Sequence, residues 1–176
     1  QGRKRTDVMT PTSPMTSTEE IAPVEWTNLP TATEQAPMVQ FMASYKGGDD
    51  LFDDSFSIDS PSGEFLGERG VGISETIGVG DPKKVTAFEV WLFDKNDIQT
   101  VTKVLMSAHA FNDAGIRSRL QAKGEPVLLE AGNQTGLETA TLRMTTRIVD
   151  MNDGEGALPE KSFMDSLILE IAVWPK

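Results

Sequence analysis

From residue 38 onward, apolar and polar positions alternate with the period of a β-strand, in short segments separated by turn residues. Residues 38–45 predict a first strand, and residues 64–77 predict another extended segment. Closely spaced glycines in the second of these segments indicate a bulge or a close approach of two backbones. These glycines are Gly67, Gly70 and Gly72.

The strongest strand pattern in the chain covers residues 85–93 and is apolar on both of its faces. A strand with two apolar faces is expected in the centre of a sheet, where neither face meets water. One face carries Phe88, Val90 and Leu92, and the other carries Ala87, Trp91 and Phe93.

Residues 94–97 follow this strand and have the chemistry of a tight turn, because Asn and Asp readily adopt left-handed and Asx-turn conformations. Residues 98–107 are then expected to return as the second arm of a hairpin, with a helix over the same residues as the alternative. Asp113 is a candidate N-cap for one short helix that ends near Gly124.

Residues 137–151 predict one long, half-buried strand, with Ala140 on its apolar face and Thr139 on its polar face. A final strand is expected over residues 163–173. About eight strands with regular turns and one short helix therefore predict a mainly β chain, folded as an antiparallel β-sandwich.

The chain before this pattern has a different composition, rich in Thr, Ser, Pro, Glu and Ala. Its prolines are too closely spaced for a helix or a central strand, so residues 1–37 predict a disordered Pro/Thr-rich linker, and residues 38–176 predict the β-sandwich domain. The chain opens on Gln1 without an initiator methionine, from which we expect that a preceding segment was removed. The basic cluster Arg3-Lys4-Arg5 is typical of the cytoplasmic flank of a membrane helix, and a solvated terminus is the alternative.

Charge excludes some partners. The 27 acidic and 16 basic residues give a net charge of −11, which repels the phosphate backbone of nucleic acids. Nucleic acid is therefore not a predicted partner. Because the chain has no cysteine, disulfides, thiolate nucleophiles and cysteine-ligated metals are excluded.

Several motifs invite a chemical interpretation, and each has a simpler one. The aspartates between residues 49 and 59, and the segment 150–155, resemble parts of calcium loops but match no calcium-loop spacing. The glycines around Glu68 lack the helix that a phosphate loop needs, and His109, the one histidine, has no nucleophile motif to serve. We therefore predict no cofactor, no bound metal and no catalytic residue.

One block of the sequence resembles a family of bacterial proteins with no known activity. The similar segments are residues 86–98, 100–107 and 123–127, within a resemblance that spans Phe41 to Trp174. In that family an N-terminal membrane helix, a basic flank and a Pro/Thr-rich spacer precede the domain. The resemblance thus implies a domain anchored at a membrane, and it supplies no site residues. The basic cluster Arg3-Lys4-Arg5, if it follows a membrane helix, predicts that the domain faces the cytoplasm.

Two hypotheses for function follow from these observations. The first is a non-catalytic protein-interaction or scaffolding module tethered near a membrane, which binds a protein partner through an acidic surface or an exposed sheet edge. The second is a carbohydrate-binding or carboxylate-based hydrolase sandwich, with Trp91, Trp174 or Tyr45 in a groove. For the first, the candidate partner-binding residues are Asp94, Lys95, Asn96 and Asp97.

Overall fold

The computed structural model describes residues 35–176. The predicted linker lies outside the described residues as far as residue 34 and stays a prediction. No helix in the described part is long and apolar enough to cross a membrane. The elements are β1 Val39–Lys46, β2 Asp53–Asp59, β3 Phe65–Ile77, β4 Lys84–Asp94, β5 Val101–Met106, α1 Ala108–Asn112, α2 Ala114–Gln121, β6 Glu125–Leu128, β7 Gln134–Glu138, β8 Leu142–Asp153 and β9 Met164–Pro175.

The nine strands form two sheets packed as a sandwich, which confirms the predicted fold class. A four-stranded sheet has the order β1-β9-β8-β7, and a five-stranded sheet has the order β2-β3-β4-β5-β6. Six strand pairs are antiparallel, but β5 and β6 run parallel. Two strands that run parallel need a crossover connection, and α1 and α2 provide it between them.

The main core lies between the two sheets. β4 is central in the five-stranded sheet, and Phe88, Val90 and Leu92 on its inner face are fully buried. Leu169 and Ile171 of β9 meet them from the other sheet. The predicted central strand and the β4–β5 hairpin are both confirmed.

A smaller core lies on the outer face of the five-stranded sheet. Ala87 and Val104 pack there against Ala110 of α1 and Leu120 of α2. Asp113 caps α2 as predicted, since its Oδ1 accepts a hydrogen bond from Ile116 N at 2.9 Å. The preceding helix α1 was not predicted, because its five residues are too few to show a helical period.

The glycines of β3 allow the close approaches that their spacing predicted. A Cβ atom at Gly67 would lie 2.1 Å from the carbonyl oxygen of Phe93, and one at Gly70 would lie 2.4 Å from the indole of Trp91. The register between β3 and β4 also shifts after Ile73. Gly72 has ordinary space around it, so only two of the three glycines are required by contacts.

The prediction of one strand over residues 137–151 is wrong in one respect. The chain turns at residues 139–141 and forms two strands, β7 and β8, that pair with each other. Thr139 is buried and Ala140 is exposed, the reverse of the predicted faces. The cause is tertiary, because Asp94 binds Thr139 and Thr141 from a different sheet.

Candidate functional site

The predicted loop at residues 94–97 is built around a buried carboxylate. Asp94 has 0% of its surface exposed. Its Oδ1 accepts a hydrogen bond from Asn96 N at 2.8 Å, which closes an Asx turn. Its Oδ2 accepts hydrogen bonds from Thr141 N at 2.7 Å, Thr141 Oγ1 at 2.8 Å and Thr139 Oγ1 at 2.9 Å.

These bonds decide the charge of Asp94. Burial by itself would raise the pKa of this carboxyl, but the hydrogen bonds from Asn96, Thr141 and Thr139 outweigh burial and lower its pKa. Asp94 therefore stays ionised inside the protein and joins β4 of one sheet to the β7–β8 turn of the other. Its carboxylate is not exposed to a partner.

The other three residues of the loop lie nearer the surface. Lys95 forms an ion pair with Glu64, and Asp97 Oδ2 accepts a hydrogen bond from Ala140 N at 3.0 Å. Asn96 is exposed, and next to the loop Ile98 has 99% of its surface exposed. Partner binding by Lys95, Asn96 and Asp97 stays a prediction, whereas the structure places Asp94 in a structural position.

A second surface was not recognised in the sequence. Beyond the two helices, no other described element covers the outer face of β2, β3 and β4, where the strand register brings acidic and aromatic side chains together. Residues on this side alternate with the core residues Val71, Val90 and Leu92. We call this surface the acidic aromatic face; it consists of Asp53, Asp59, Glu68, Glu89, Trp91 and Phe93.

Trp91 forms the floor of the acidic aromatic face. Its indole lies across Gly70, its cross-strand neighbour, so closely that any larger residue there would overlap the ring. Trp91 is half-buried, so the face of β4 that carries it is partly exposed to water and not fully shielded as its apolar pattern predicted. None of the described residues accepts a hydrogen bond from its Nε1.

The carboxylates of the acidic aromatic face form no ion pair with a described Lys or Arg, whereas several neighbouring carboxylates do. Glu64 pairs with Lys95, Glu75 pairs with Arg119, and Asp54 pairs with Arg69. No ion pair within residues 35–176 involves the four acidic members of the face. Their charges therefore add to a local negative potential.

The aromatic residues proposed for a sugar-binding groove do not come together. Tyr45 is buried in the main core, with its ring edge-on to Phe52 and Phe88. Trp174 lies on the outer face of the four-stranded sheet, where Arg143 stacks on it at 5.3 Å. Trp91 lies on the opposite sheet, so a common groove of these three residues is excluded.

Three residues of the calcium-like motifs make structural contacts. Asp50 accepts a hydrogen bond from Lys83 N at 3.0 Å, and Asp54 pairs with Arg69. Gly154 lies against the ring of Phe163, where a Cβ atom would approach to 1.9 Å. Within the described part of the chain, no three histidine or carboxylate side chains form a group that could hold a metal ion.

His109 lines a shallow cavity of about 430 Å³ beside α1. Asp113, Glu160 and Lys161 also line it, and among the described residues no serine or threonine hydroxyl lies there beside His109. The backbone N–H of His109 donates to the carbonyl oxygen of Lys161 at 3.1 Å. The described lining of this cavity is therefore mainly charged and polar.

Comparison with known proteins identifies no relative. No family model matches the chain, and no curated protein or solved structure is significantly similar to it. The resemblance to a membrane-anchored bacterial family is therefore still a prediction from the sequence.

Proposed function

We propose that this protein is a non-catalytic interaction module that binds a basic, extended segment of a partner protein on the acidic aromatic face. The observation that carries the proposal is a set of four carboxylates beside a flat indole on one sheet face, where none of the described residues supplies a cation or a covering element. Lys and Arg side chains complement both features, because they pair with carboxylates and stack on aromatic rings.

The adjacent edge of the sheet favours an extended partner. Within the described residues, β2 pairs only with β3, so the backbone N–H and C=O groups of its other edge are open to a further strand. Side chains of an added strand alternate between faces, and every second one would lie beside the acidic aromatic face. Asp53 and Asp59 mark the two ends of that edge, about 20 Å apart at the usual rise per residue.

Electrostatics supports the same class of partner. The net charge of −11 attracts basic partners over distances of about a Debye length and raises their association rate. Cation–π contact with Trp91 adds about 0.5 to 2 kcal/mol for each well-placed cation. A basic peptide would thus associate faster because of the protein's negative charge, and once bound it would gain a specific contact with Trp91.

The tether belongs to the proposal as well, on sequence grounds. We place the module near a membrane and facing the cytoplasm, with Arg3-Lys4-Arg5 as the basic flank and the Pro/Thr-rich residues as a spacer. A spacer of this kind holds the sandwich within reach of a membrane-bound partner and raises its effective concentration there.

The test is a binding titration with two fluorescent peptides of identical composition. One alternates Lys with Thr and Val, and the other groups the same lysines at one end. The full chain is expected to bind the alternating peptide at least ten-fold more tightly. In the variant Asp53→Asn, Asp59→Asn, Glu68→Gln, Glu89→Gln, that preference is expected to disappear, and in wild type the Trp91 indole N–H resonance should shift on binding.

The matched control removes four charges elsewhere. It replaces four exposed carboxylates that have no described ion pair with the corresponding amides: Glu130, Asp150, Glu155 and Glu160. This control variant therefore loses the same number of negative charges as the variant of the acidic aromatic face. Equal loss of affinity in both variants would show that the attraction is unspecific and would overturn the proposal. Binding of a glycan that depends on Trp91 but not on the four carboxylates would favour the carbohydrate-binding alternative.

A further inference from the structure

Arg69 is a charged side chain that points into the sandwich from β3. It has 0% of its surface exposed, and it lies in line with Val71 among the core-facing residues of that strand. Its guanidinium stacks on Phe41 of β1 at 3.5 Å from the ring centre, and it lies 4.9 Å from the ring centre of Phe56 of β2. β1 and β2 are the edge strands of the two sheets, so Arg69 closes the side of the sandwich between them.

The hydrogen bonds of Arg69 are incomplete. Nη1 donates to Asp54 Oδ1 at 3.0 Å, but within residues 35–176 nothing accepts a hydrogen bond from Nε or Nη2. These two atoms carry parallel N–H groups, the arrangement that binds both oxygens of a carboxylate. Leaving such donors buried without an acceptor is unfavourable, and more so for a charged group.

The charge of Arg69 is also only partly compensated. Burial lowers the pKa of the guanidinium, and although Asp54 acts in the opposite direction, the net result is a lowered pKa. A second anion beside Nε and Nη2 would therefore stabilise the charged form that Asp54 alone does not fully support.

One of the two rings that lie against the guanidinium belongs to a side chain that can move. Phe56 has 51% of its surface exposed although it lies on the inner side of β2, and among the described residues β2 is hydrogen-bonded along one edge only. Exposed side chains change rotamer in nanoseconds, so Phe56 can swing outward without unfolding the sheet. Phe41, which is less exposed, would keep its stacking on the guanidinium.

We propose that the Nε–Nη2 edge of Arg69 is a binding site for a carboxylate group, which enters between β1 and β2 when Phe56 swings outward. The carboxylate belongs either to a small organic acid or to the acidic side chain of another protein. The site is independent of the acidic aromatic face, because Arg69 lies on the opposite side of β3 from Glu68.

The experiment follows the Nε–H resonance of Arg69 by NMR in the full chain while sodium acetate replaces sodium chloride at constant ionic strength. A saturable shift with a millimolar dissociation constant is expected. In Phe56→Ala the affinity for acetate should rise at least five-fold, because the aromatic ring that has to swing outward is no longer present. Arg69→Lys keeps the positive charge but lacks the two parallel N–H groups of the guanidinium. In this variant we expect saturable acetate binding to be lost, as measured through the backbone amide resonances of Phe41 and Asp54.

Two outcomes would overturn the site. The first is the absence of a saturable shift in both wild type and Phe56→Ala, which needs no folded Arg69 variant. The second is unchanged acetate binding in Arg69→Lys. Once acetate binding is established, two capped tripeptides, Gly-Glu-Gly and Gly-Gln-Gly, identify the source of the carboxylate. Binding of the glutamate peptide but not of the glutamine peptide indicates an acidic protein segment. Binding of acetate but of neither peptide indicates a small acid.

Discussion

Asp94 and Arg69 are both completely buried, yet their polar atoms are satisfied to different extents. Asp94 accepts four hydrogen bonds, two from backbone N–H groups and two from threonine hydroxyls. Arg69 donates to one carboxylate and otherwise rests on aromatic rings. The first residue ties the two sheets together through hydrogen bonds, whereas the second fills the side of the sandwich between the edge strands β1 and β2, which do not pair with each other.

This difference indicates which part of the molecule is fixed and which part can exchange partners. A buried charge with every bond made holds one arrangement of its neighbours, because any movement leaves a charged or polar group unpaired. A buried charge with unused donors gains from an additional acceptor. We therefore expect the Asp94 region to determine stability and the Arg69 region to respond to ligands.

The largest effect is expected for Asp94→Ala. It leaves the backbone N–H groups of Asn96 and Thr141 without their acceptor and separates the β7–β8 turn from β4, so the free energy of unfolding should fall by roughly 3 to 5 kcal/mol. Urea unfolding followed by circular dichroism measures this change. Asn at position 94 retains one carbonyl oxygen and should lose less; an equal loss would mean that the charge, and not the bonding pattern, is what matters.

Acid should weaken the same region. The pKa of Asp94 is lower in the folded protein than its unfolded value of about 3.9, so its contribution to stability is complete above that value and is lost as the pH falls through the folded pKa. Urea midpoints of wild type and Asp94→Asn measured between pH 7 and pH 2 should therefore converge at low pH. Parallel curves would contradict the assignment.

Arg69→Met should have a much smaller effect than Asp94→Ala. Methionine fills part of the same volume between Phe41 and Phe56 and removes two unpaired donors, while the partly exposed Asp54 can be hydrated. The expected change in unfolding free energy is within about 1 kcal/mol, in either direction. A loss as large as that of Asp94→Ala would show that Arg69 is a structural residue like Asp94 and would remove the contrast.

The smallest effect at neutral pH is expected for Tyr45→Phe. The Tyr45 hydroxyl is buried and has no hydrogen-bond partner within the described chain, so its removal should change stability by less than about 1 kcal/mol. Burial, with smaller effects from Asp50, Asp49 and Asp165, raises the pKa of Tyr45 above 10.0. The stability that this group provides is present below pH 10 and is lost as the pH rises through the folded pKa.

Alkaline unfolding tests this assignment directly. Above pH 10 wild type should lose stability faster than Tyr45→Phe, because ionised tyrosine is accommodated better in the unfolded chain. Thermal unfolding at pH 7, 9, 10 and 11 gives the comparison. Identical slopes for the two proteins would assign the alkaline transition to other groups.

The strands and turns were predictable wherever the information is local. The two-sided apolar pattern of residues 85–93 predicted the central strand, and the Asn/Asp turn after it predicted the hairpin. Asp113 was predictable as a cap because capping needs only an oxygen three residues before a free N–H. These features depend on neighbours within a few positions of the chain.

The candidate sites were not predictable in the same way. Residues 94–97 were recognised as a turn, but the partners of Asp94 are 45 and 47 residues away, so its burial could not be inferred. Glu68, Trp91 and Asp53 form one surface only because three strands pair in one register. A one-residue shift of any of these strands would move all of that strand's members of the surface to the opposite face of the sheet.

The position of Arg69 in the strand pattern is a local signal in the sequence that marks it as a buried charged residue. It occupies the inward phase of a strand whose neighbouring inward position is Val71, and a charged residue in that phase is unusual enough to mark a special site. Its surroundings, however, come from β1 and β2, which meet only when the two sheets stack.

By itself the sequence determined a mainly β chain, the positions of most strands, one capped helix and the acidic charge, because periodicity, capping and composition act over short distances. Only the tertiary structure decided that β5 and β6 run parallel, that Asp94 is enclosed with four hydrogen bonds, and that Arg69 is buried with donors unused. The physical reason is that burial and hydrogen-bond satisfaction depend on residues that are distant in the chain and meet only through sheet packing.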